Sequence, residues 1–203
     1  VWGGGVVFGE GVLVGVVAVA GLAVGTRGLH LDGLADLADG LGSGKEGAGA
    51  LEVMKRSDIG PFGVVALVLN VLLQVGALAQ LGSREGAMVL GVACVAGRLA
   101  VTWACREGVP SARKDGLGAL VAGTVGWLGA MTATAFTVGL TFLAMSRDSW
   151  IYLLIAVGLG LIAAWEVRRR AVRRLGGITG DVLGSLVEVT TTTVLVTAAA
   201  LLT

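Results

Sequence analysis

The amino-acid sequence predicts an all-α fold, a polytopic integral membrane bundle of about six transmembrane helices. Of the 203 residues, 55% are hydrophobic and only 14% are charged, and the mean hydropathy is +0.89. A soluble domain carries about 25% charged residues. The apolar runs lack the alternation of barrel strands, so helices are favoured over a β-barrel. A net charge of +1 gives no basic field for nucleic acid, and the bilayer is the expected partner.

Each transmembrane helix needs about 20 mainly apolar residues. The first of the six candidate runs can begin as early as Val6. The fourth is long enough for a tilted span preceded by a short interfacial helix. The predicted spans are residues 11–25, 62–81, 86–105, 117–145, 150–167 and 182–202.

Basic residues are unevenly divided between alternate connections of these spans. Two short turns contain only Arg84 and Arg147, whereas the other three connections contain twelve Lys and Arg. The positive-inside rule therefore predicts a multi-pass protein of the cell (inner) membrane, with the three basic connections in the cytoplasm and both ends of the sequence outside. The twelve are Arg27, Lys45, Lys55, Arg56, Arg106, Arg113, Lys114, Arg168, Arg169, Arg170, Arg173 and Arg174.

The stretch GLHLDGLADLADG, residues 28–40, concentrates acids in the first cytoplasmic connection. Asp32, Asp36 and Asp39 lie within an arc of roughly 60° on a helix, where like charges repel. Such carboxylates can hold Mg²⁺ or Mn²⁺, and small neighbours such as Gly33 leave room for a phosphate ligand. The stretch therefore predicts a magnesium-assisted phosphoryl-transfer site at the membrane surface. The alternative is an acidic helix start whose aspartates complement the helix dipole.

Three more polar segments, EVMKRSDIGPFG, PSARKDGLG and RRLGGITGDVLG, fall on the same predicted side. Lys55 either binds phosphate or anchors its helix among lipid headgroups, and anchoring is favoured for Arg56. Arg173 and Arg174 are interpreted as orienting the protein in the membrane, with phosphate binding as the alternative.

Several ionisable residues lie near or within the spans. His30 is either structural or a contact for substrate or proton transfer. Arg98 is costly inside a membrane, so we expect it to pair with an acid or bind a substrate phosphate. Glu188 either completes a metal shell or pairs with Arg98. Asp181 and Thr179 can cap the last span.

These four motifs, in this order and spacing, resemble the cobalamin synthase family, the adenosylcobinamide-GDP ribazoletransferases, over essentially the whole chain. The resemblance implies a Mg²⁺-dependent membrane enzyme that joins adenosylcobinamide-GDP to α-ribazole or its 5′-phosphate. GMP leaves, and adenosylcobalamin or its 5′-phosphate is the product. Members start earlier, and residue 1 is Val. We therefore expect residues 1–203 to be a single catalytic domain that lacks its native N-terminal segment.

The resemblance also assigns residues. His30, Asp32, Asp36 and Asp39 match the acidic motif of the family, and Arg56 and Asp58 look exchanged relative to it. Asp32 and Asp36 are the first expected metal ligands, with Asp39 next. Asp39 or Asp181 is the expected proton acceptor, and His30 and Arg98 complete the catalytic set. The expected substrate-binding residues are Gly33, Lys55, Ser57, Arg113, Gly177, Thr179 and Gly180.

Two other functions fit the composition less well. A CDP-alcohol phosphotransferase needs D-G-x2-A-R, but Asp36 stands in place of the Arg and no later D-x3-D pair follows. A cation transporter usually places its acids near the bilayer midplane, not in a long connection. The expected protein partners are a second copy of the chain, in a homo-oligomer, or other enzymes of cobamide assembly.

Overall fold

A computed structural model describes residues 10–144 and 149–203, and these residues confirm the all-α membrane bundle. Within them the backbone forms helices and two isolated bridges, without a strand. The described helices are α1 (Glu10–Gly25), α2 (Leu29–Gly42), α3 (Ala48–Val53), α4 (Pro61–Leu81), α5 (Ser83–Ala104), α6 (Gly116–Val121), α7 (Trp127–Ala144), α8 (Trp150–Leu175) and α9 (Gly180–Leu202).

Five of these helices, α4, α5, α7, α8 and α9, are long and apolar enough to cross a membrane. A sixth span is obtained only if α1 and α2 are counted together as one bent pair. The fourth predicted run divides into the short helix α6 and the longer α7, as expected. Val6, Met145 and Arg147, which entered the predictions, lie outside the described residues.

The prediction that residues 168–174 lie in a connection is wrong, because α8 continues to Leu175. Glu166 forms ion pairs with Arg169 and Arg170 one turn later, and such pairs stabilise a helix. Arginines in the last turn also complement the helix dipole. The helix ends where Gly176 adopts a left-handed conformation, with φ of 85°.

The chain turns sharply between α1 and α2. Arg27 and Gly28 have positive φ values of 54° and 70°, and the two helix axes differ by 88°. At about 1.5 Å per residue, the 14-residue α2 is too short to cross a hydrocarbon core of about 30 Å, and it carries three aspartates. It packs against α4 and α9.

Helix α9 is the centre of the bundle and contacts α2, α4, α5 and α8. Leu186, Val194 and Leu195 are almost fully buried. The neighbouring helices approach through small residues: a Cβ on Gly160 of α8 would lie 3.1 Å from the Thr190 carbonyl oxygen. Large exposed apolar side chains such as Leu72 cover the outer faces, as expected of a surface in contact with lipid.

Candidate active site at the polar end of the bundle

The three basic segments predicted to share one side of the membrane meet at one end of the bundle. We call this region, which comprises residues 27–60, 105–116 and 168–181, the polar end. The Ala112 N–H donates to the Ile178 carbonyl at 3.0 Å, and the Ile178 N–H donates to Pro110 at 2.9 Å. The Gly47 N–H donates to the Arg174 carbonyl at 2.8 Å. Segments distant in sequence thus form one surface.

Helix α2 comes unusually close to the start of α9. A Cβ built on Gly33 would lie 2.7 Å from the Asp181 carbonyl oxygen, closer than real Cβ atoms come. Gly33 was predicted to leave room for substrate, but the structure buries it in this helix contact. The contact places Asp32 and Asp36 beside Asp181.

The carboxylates at this contact influence one another. Burial raises the pKa of Asp36 from 3.8 to about 6, and the charges of Asp32, Asp181 and Asp39 add to the shift. Arg113 opposes the shift, and its guanidinium lies 3.8 Å from the Asp181 carboxylate. Negative charge is therefore concentrated on the facing surfaces of α2 and α9.

Asp39 has a different environment from the one its spacing predicts. One carboxylate oxygen accepts the Gly60 N–H at 2.7 Å, and the other accepts the Gly63 N–H at 2.9 Å. These N–H groups lie at the start of α4, where backbone donors have no acceptor within their own helix. Asp39 thus caps α4, and its expected role as a metal ligand or proton acceptor stays a prediction.

Two cavities open beside the acids. The larger, about 710 Å³, is lined by Asp32 and Asp36 together with Lys55, Arg56, Ser57 and other residues; we call it the acid-lined cavity. The smaller, about 210 Å³, is lined by Arg113, Thr179, Gly180, Asp181 and their neighbours. Leu29 borders both. Most of the residues predicted to bind metal or substrate therefore line two adjoining spaces.

The fit of a magnesium ion can be judged from these donors. In residues 10–144 and 149–203, no three His, Cys, Asp or Glu side chains form a ready metal cluster. Mg²⁺ usually needs only one or two carboxylates, because water and substrate phosphates complete its shell. Asp32 and Asp36, with their crowded negative charge beside the acid-lined cavity, meet that requirement.

A family model described as cobalamin-5-phosphate synthase matches residues 1–199. The chain belongs to this family. An adenosylcobinamide-GDP ribazoletransferase of Frankia casuarinae is 45% identical over 185 residues, which cover 86% of this chain and 66% of that protein. The enzyme of the same name from Nocardioides sp. is 42% identical over 175 residues, covering 86% and 67%. The chain thus spans about two thirds of the length of these relatives. No solved structure matches it.

In this member of the cobalamin-5-phosphate synthase family, the glycine-rich motif before α9 is mainly structural. The Thr179 hydroxyl accepts the Val182 N–H at 3.2 Å and donates to the Asp181 carboxylate at 3.2 Å. A Cβ on Gly177 would lie 2.5 Å from the Ala112 nitrogen, so this glycine permits close packing, and its predicted substrate contact stays a prediction. A Cβ on Gly180 would have only Leu117 within 4 Å, and Gly180 borders the smaller cavity.

His30 and Arg98, both predicted to be catalytic, contact each other in this family member. The Arg98 guanidinium donates to His30 Nε2 at 2.9 Å, so this nitrogen acts as the acceptor. Both residues line a small cavity of about 50 Å³ together with Glu188 and Cys94. The structure therefore gives Arg98 a histidine partner in place of the acid that the sequence predicted.

Glu188 does not pair with Arg98 among the described residues, and its alternative role in a metal shell stays a prediction. Its carboxylate accepts hydrogen bonds from Asn70 at 2.8 Å and Gln74 at 2.9 Å. Gln74 also donates to Thr192, which in turn donates to Asn70, so the four side chains close a ring between α4 and α9. Sequence reasoning missed Asn70, Gln74 and Thr192. The two amides within an otherwise apolar run were the signal that could have identified them.

Proposed function

We propose that the chain is a Mg²⁺-dependent adenosylcobinamide-GDP ribazoletransferase. It moves the adenosylcobinamide phosphate group to α-ribazole or its 5′-phosphate. The ribazole hydroxyl oxygen bonds to the phosphorus attached to cobinamide, the bond from that phosphorus to the GMP oxygen breaks, and the hydroxyl proton passes to a base. The observation that carries the proposal is the approach of Asp32 and Asp36 to Asp181 beside the acid-lined cavity. The family match and the names of the relatives supply the substrates.

Asp32 and Asp36 are the residues that would hold Mg²⁺, which supplies charge neutralisation for the pyrophosphate and the departing GMP. Lys55 and Ser57 line the same cavity and offer an ammonium and a hydroxyl to phosphate oxygens. Arg113 borders the smaller cavity and fixes the position of Asp181 through their ion pair. These residues bind and orient the two substrates.

Asp181 is the better proton acceptor of the two candidates. Both oxygens of Asp39 already accept backbone N–H groups, so neither is placed to take a proton from the substrate. Asp181 borders the smaller cavity, where its carboxylate oxygen can take the hydroxyl proton as the new bond forms. The Thr179 hydroxyl and Arg113 hold that carboxylate in place.

We also propose that the polar end faces the cytoplasm of a cell membrane. The basic residues of the three segments support this orientation. A site at the membrane surface also lets water-soluble GMP depart into an aqueous compartment, while the helices remain in the bilayer.

The test is GMP release from adenosylcobinamide-GDP by detergent-purified protein, with and without α-ribazole and Mg²⁺. Release should require both. Asp32→Asn and Asp36→Asn should each lower turnover by about 10²–10³. The matched control is Glu46→Gln, an exposed acid of the polar end that pairs with Arg174, and it should turn over like wild type. Faster turnover of a CDP-alcohol substrate would refute the proposal.

A further inference from the structure

A fourth cavity lies between α5 and α8 and shares no lining residue with the two cavities beside the acids. Its volume is about 310 Å³. The charged residues of its lining are both arginines, and the rest of the wall is aromatic or apolar. The lining residues are Ala100, Trp103, Ala104, Arg106, Leu161, Ala164, Trp165 and Arg168.

The two arginines are placed without an acidic partner. The Arg106 guanidinium lies over the rings of Trp103 and Trp127, at 5.3 and 4.8 Å from their centres. Its Nε is buried and makes no hydrogen bond. Arg168 donates to the Trp103 carbonyl at 3.1 Å. In the part of the chain that the structure describes, neither arginine forms an ion pair.

Most of the arginines close to these two differ from them, although Arg27 and Arg56 elsewhere in the polar end also form no ion pair among the described residues. Arg169, Arg170 and Arg173 all pair with Glu166, and Arg174 pairs with Glu46. Two guanidiniums that share a cavity repel each other unless an anion joins them. Arg106 and Arg168 lack an acid and line the same cavity, so an external anion placed between them would relieve their repulsion.

The position of the cavity identifies the kind of anion. Arg106 lies two residues after the end of α5, and Arg168 lies on α8 beyond its most apolar part. Trp127 and Trp165 expose 58% and 51% of their surfaces, as tryptophans at a membrane–water interface do. Ala100, Leu161 and Ala164 form the apolar wall, and the neighbouring Ile162 is exposed on the outer face of α8.

We propose that this cavity binds the headgroup phosphate of an anionic phospholipid. Guanidinium groups match phosphate oxygens with paired N–H donors. The apolar wall can contact the start of an acyl chain, which inorganic phosphate lacks. A zwitterionic lipid brings its own cation toward two arginines, so a net negative headgroup is preferred. The bound lipid bridges the ends of α5 and α8.

The experiment is thermal unfolding of the full chain in non-ionic detergent, titrated with phosphatidylglycerol, phosphatidylcholine or inorganic phosphate. Phosphatidylglycerol should raise the melting temperature of the wild type in a saturable way, because a ligand of the folded state stabilises it. In Arg106→Gln/Arg168→Gln the midpoint of that titration should move about tenfold or more to higher lipid, since charge-assisted hydrogen bonds are lost. Arg170→Gln/Arg173→Gln removes the same charge from the same end, touches no lining residue of the cavity, and should keep the wild-type midpoint.

Three results would overturn the proposal. These are an equal shift of the midpoint in the control pair, equal stabilisation by phosphatidylcholine, and full replacement of the lipid effect by inorganic phosphate. The last result would identify a free-phosphate site. If the double variant fails to fold, Arg168→Gln alone enters the same titration, because it leaves Arg106 on its tryptophans. An unchanged midpoint in that single variant also contradicts lipid binding.

Discussion

Asp36 and Asp39 lie three residues apart on α2, yet their carboxylates do different things. Asp39 accepts two N–H groups from the start of α4, whereas Asp36 faces the charges of Asp32 and Asp181. Spacing on a helix predicts which residues share a stripe, but it does not identify the elements that the two ends of the stripe will meet. That difference makes the two aspartates separable by experiment.

We predict that Asp39→Ala lowers stability by about 0.5–2 kcal/mol, because the first turn of α4 loses its cap. Asp39→Asn keeps one oxygen acceptor and should lose less. The measurement is denaturant unfolding in a fixed detergent, with activity determined per folded molecule. If both variants keep full stability and lose turnover, Asp39 acts in the reaction and not as a cap.

For Asp36 we predict the opposite effect on stability: its substitution should stabilise the protein, and the gain should depend on pH. Its pKa is about 6 in the fold, against an ordinary value of 3.8. An acid with a raised pKa contributes stability that is present below its ordinary value and is lost as pH rises through the folded value. With a chelator present, wild type and Asp36→Asn should therefore melt together near pH 4, and the variant should be the more stable above about pH 6.

Melting temperatures of both proteins across this pH range test the point, and Mg²⁺ should remove the difference above pH 6 by neutralising the acids. If the two profiles stay parallel at all pH values, the crowding of charge around Asp36 is not real.

At the scale of elements, the contact between α2 and α9 depends on a missing side chain. In Gly33→Ala the added Cβ would lie 2.7 Å from the Asp181 carbonyl oxygen, so the two helices must separate. We expect turnover to fall by about 10²-fold, because small misplacements of catalytic groups have that effect. The control is Gly21→Ala on α1, where nothing lies within 4 Å and where alanine should add about 0.5–1 kcal/mol of stability. Equal turnover of the two variants would contradict this account.

The elements themselves were largely predictable. Apolar runs located the spans, because a bilayer demands about 20 such residues wherever a helix crosses it. Boundaries were harder: the arginines after Trp165 look like a loop until Glu166 is seen to pair with them along α8. The ring around Glu188 could not be predicted, because Asn70 is 118 residues distant and only the packed helices bring the two together.

The site was predictable by residue type more than by role. Asp32, Asp36 and Lys55 do line one cavity, as their motifs suggested. Gly33 and Gly177 were expected to contact substrate, which stays a prediction, and the structure shows that each permits close approach of backbone to backbone. The sequence does not distinguish a glycine that contacts substrate from one that permits close packing. Only the position of the neighbouring backbone does so.

For the whole molecule, the asymmetry of basic residues predicts that the polar end lies inside the cell. In a chain with Cys94 and Cys105 replaced by serine, Arg84→Cys should react with an impermeant maleimide on intact cells. Glu46→Cys, whose glutamate side chain is 76% exposed at the polar end, should react only after the membrane is opened. Labelling of intact cells at residue 46 and not at residue 84 would reverse the orientation.

The central position of α9 has a consequence for biogenesis. Every helix that α9 contacts precedes it in the chain, so the ribosome delivers the periphery of the bundle first and its axis afterwards. Until α9 enters the bilayer, Asn70 and Gln74 lack Glu188 and Thr192, and Gly33 has no helix start to pack against. The earlier helices therefore lack their packing against α9 when they first enter the membrane. The nascent protein can complete its fold only when translation has passed residue 192.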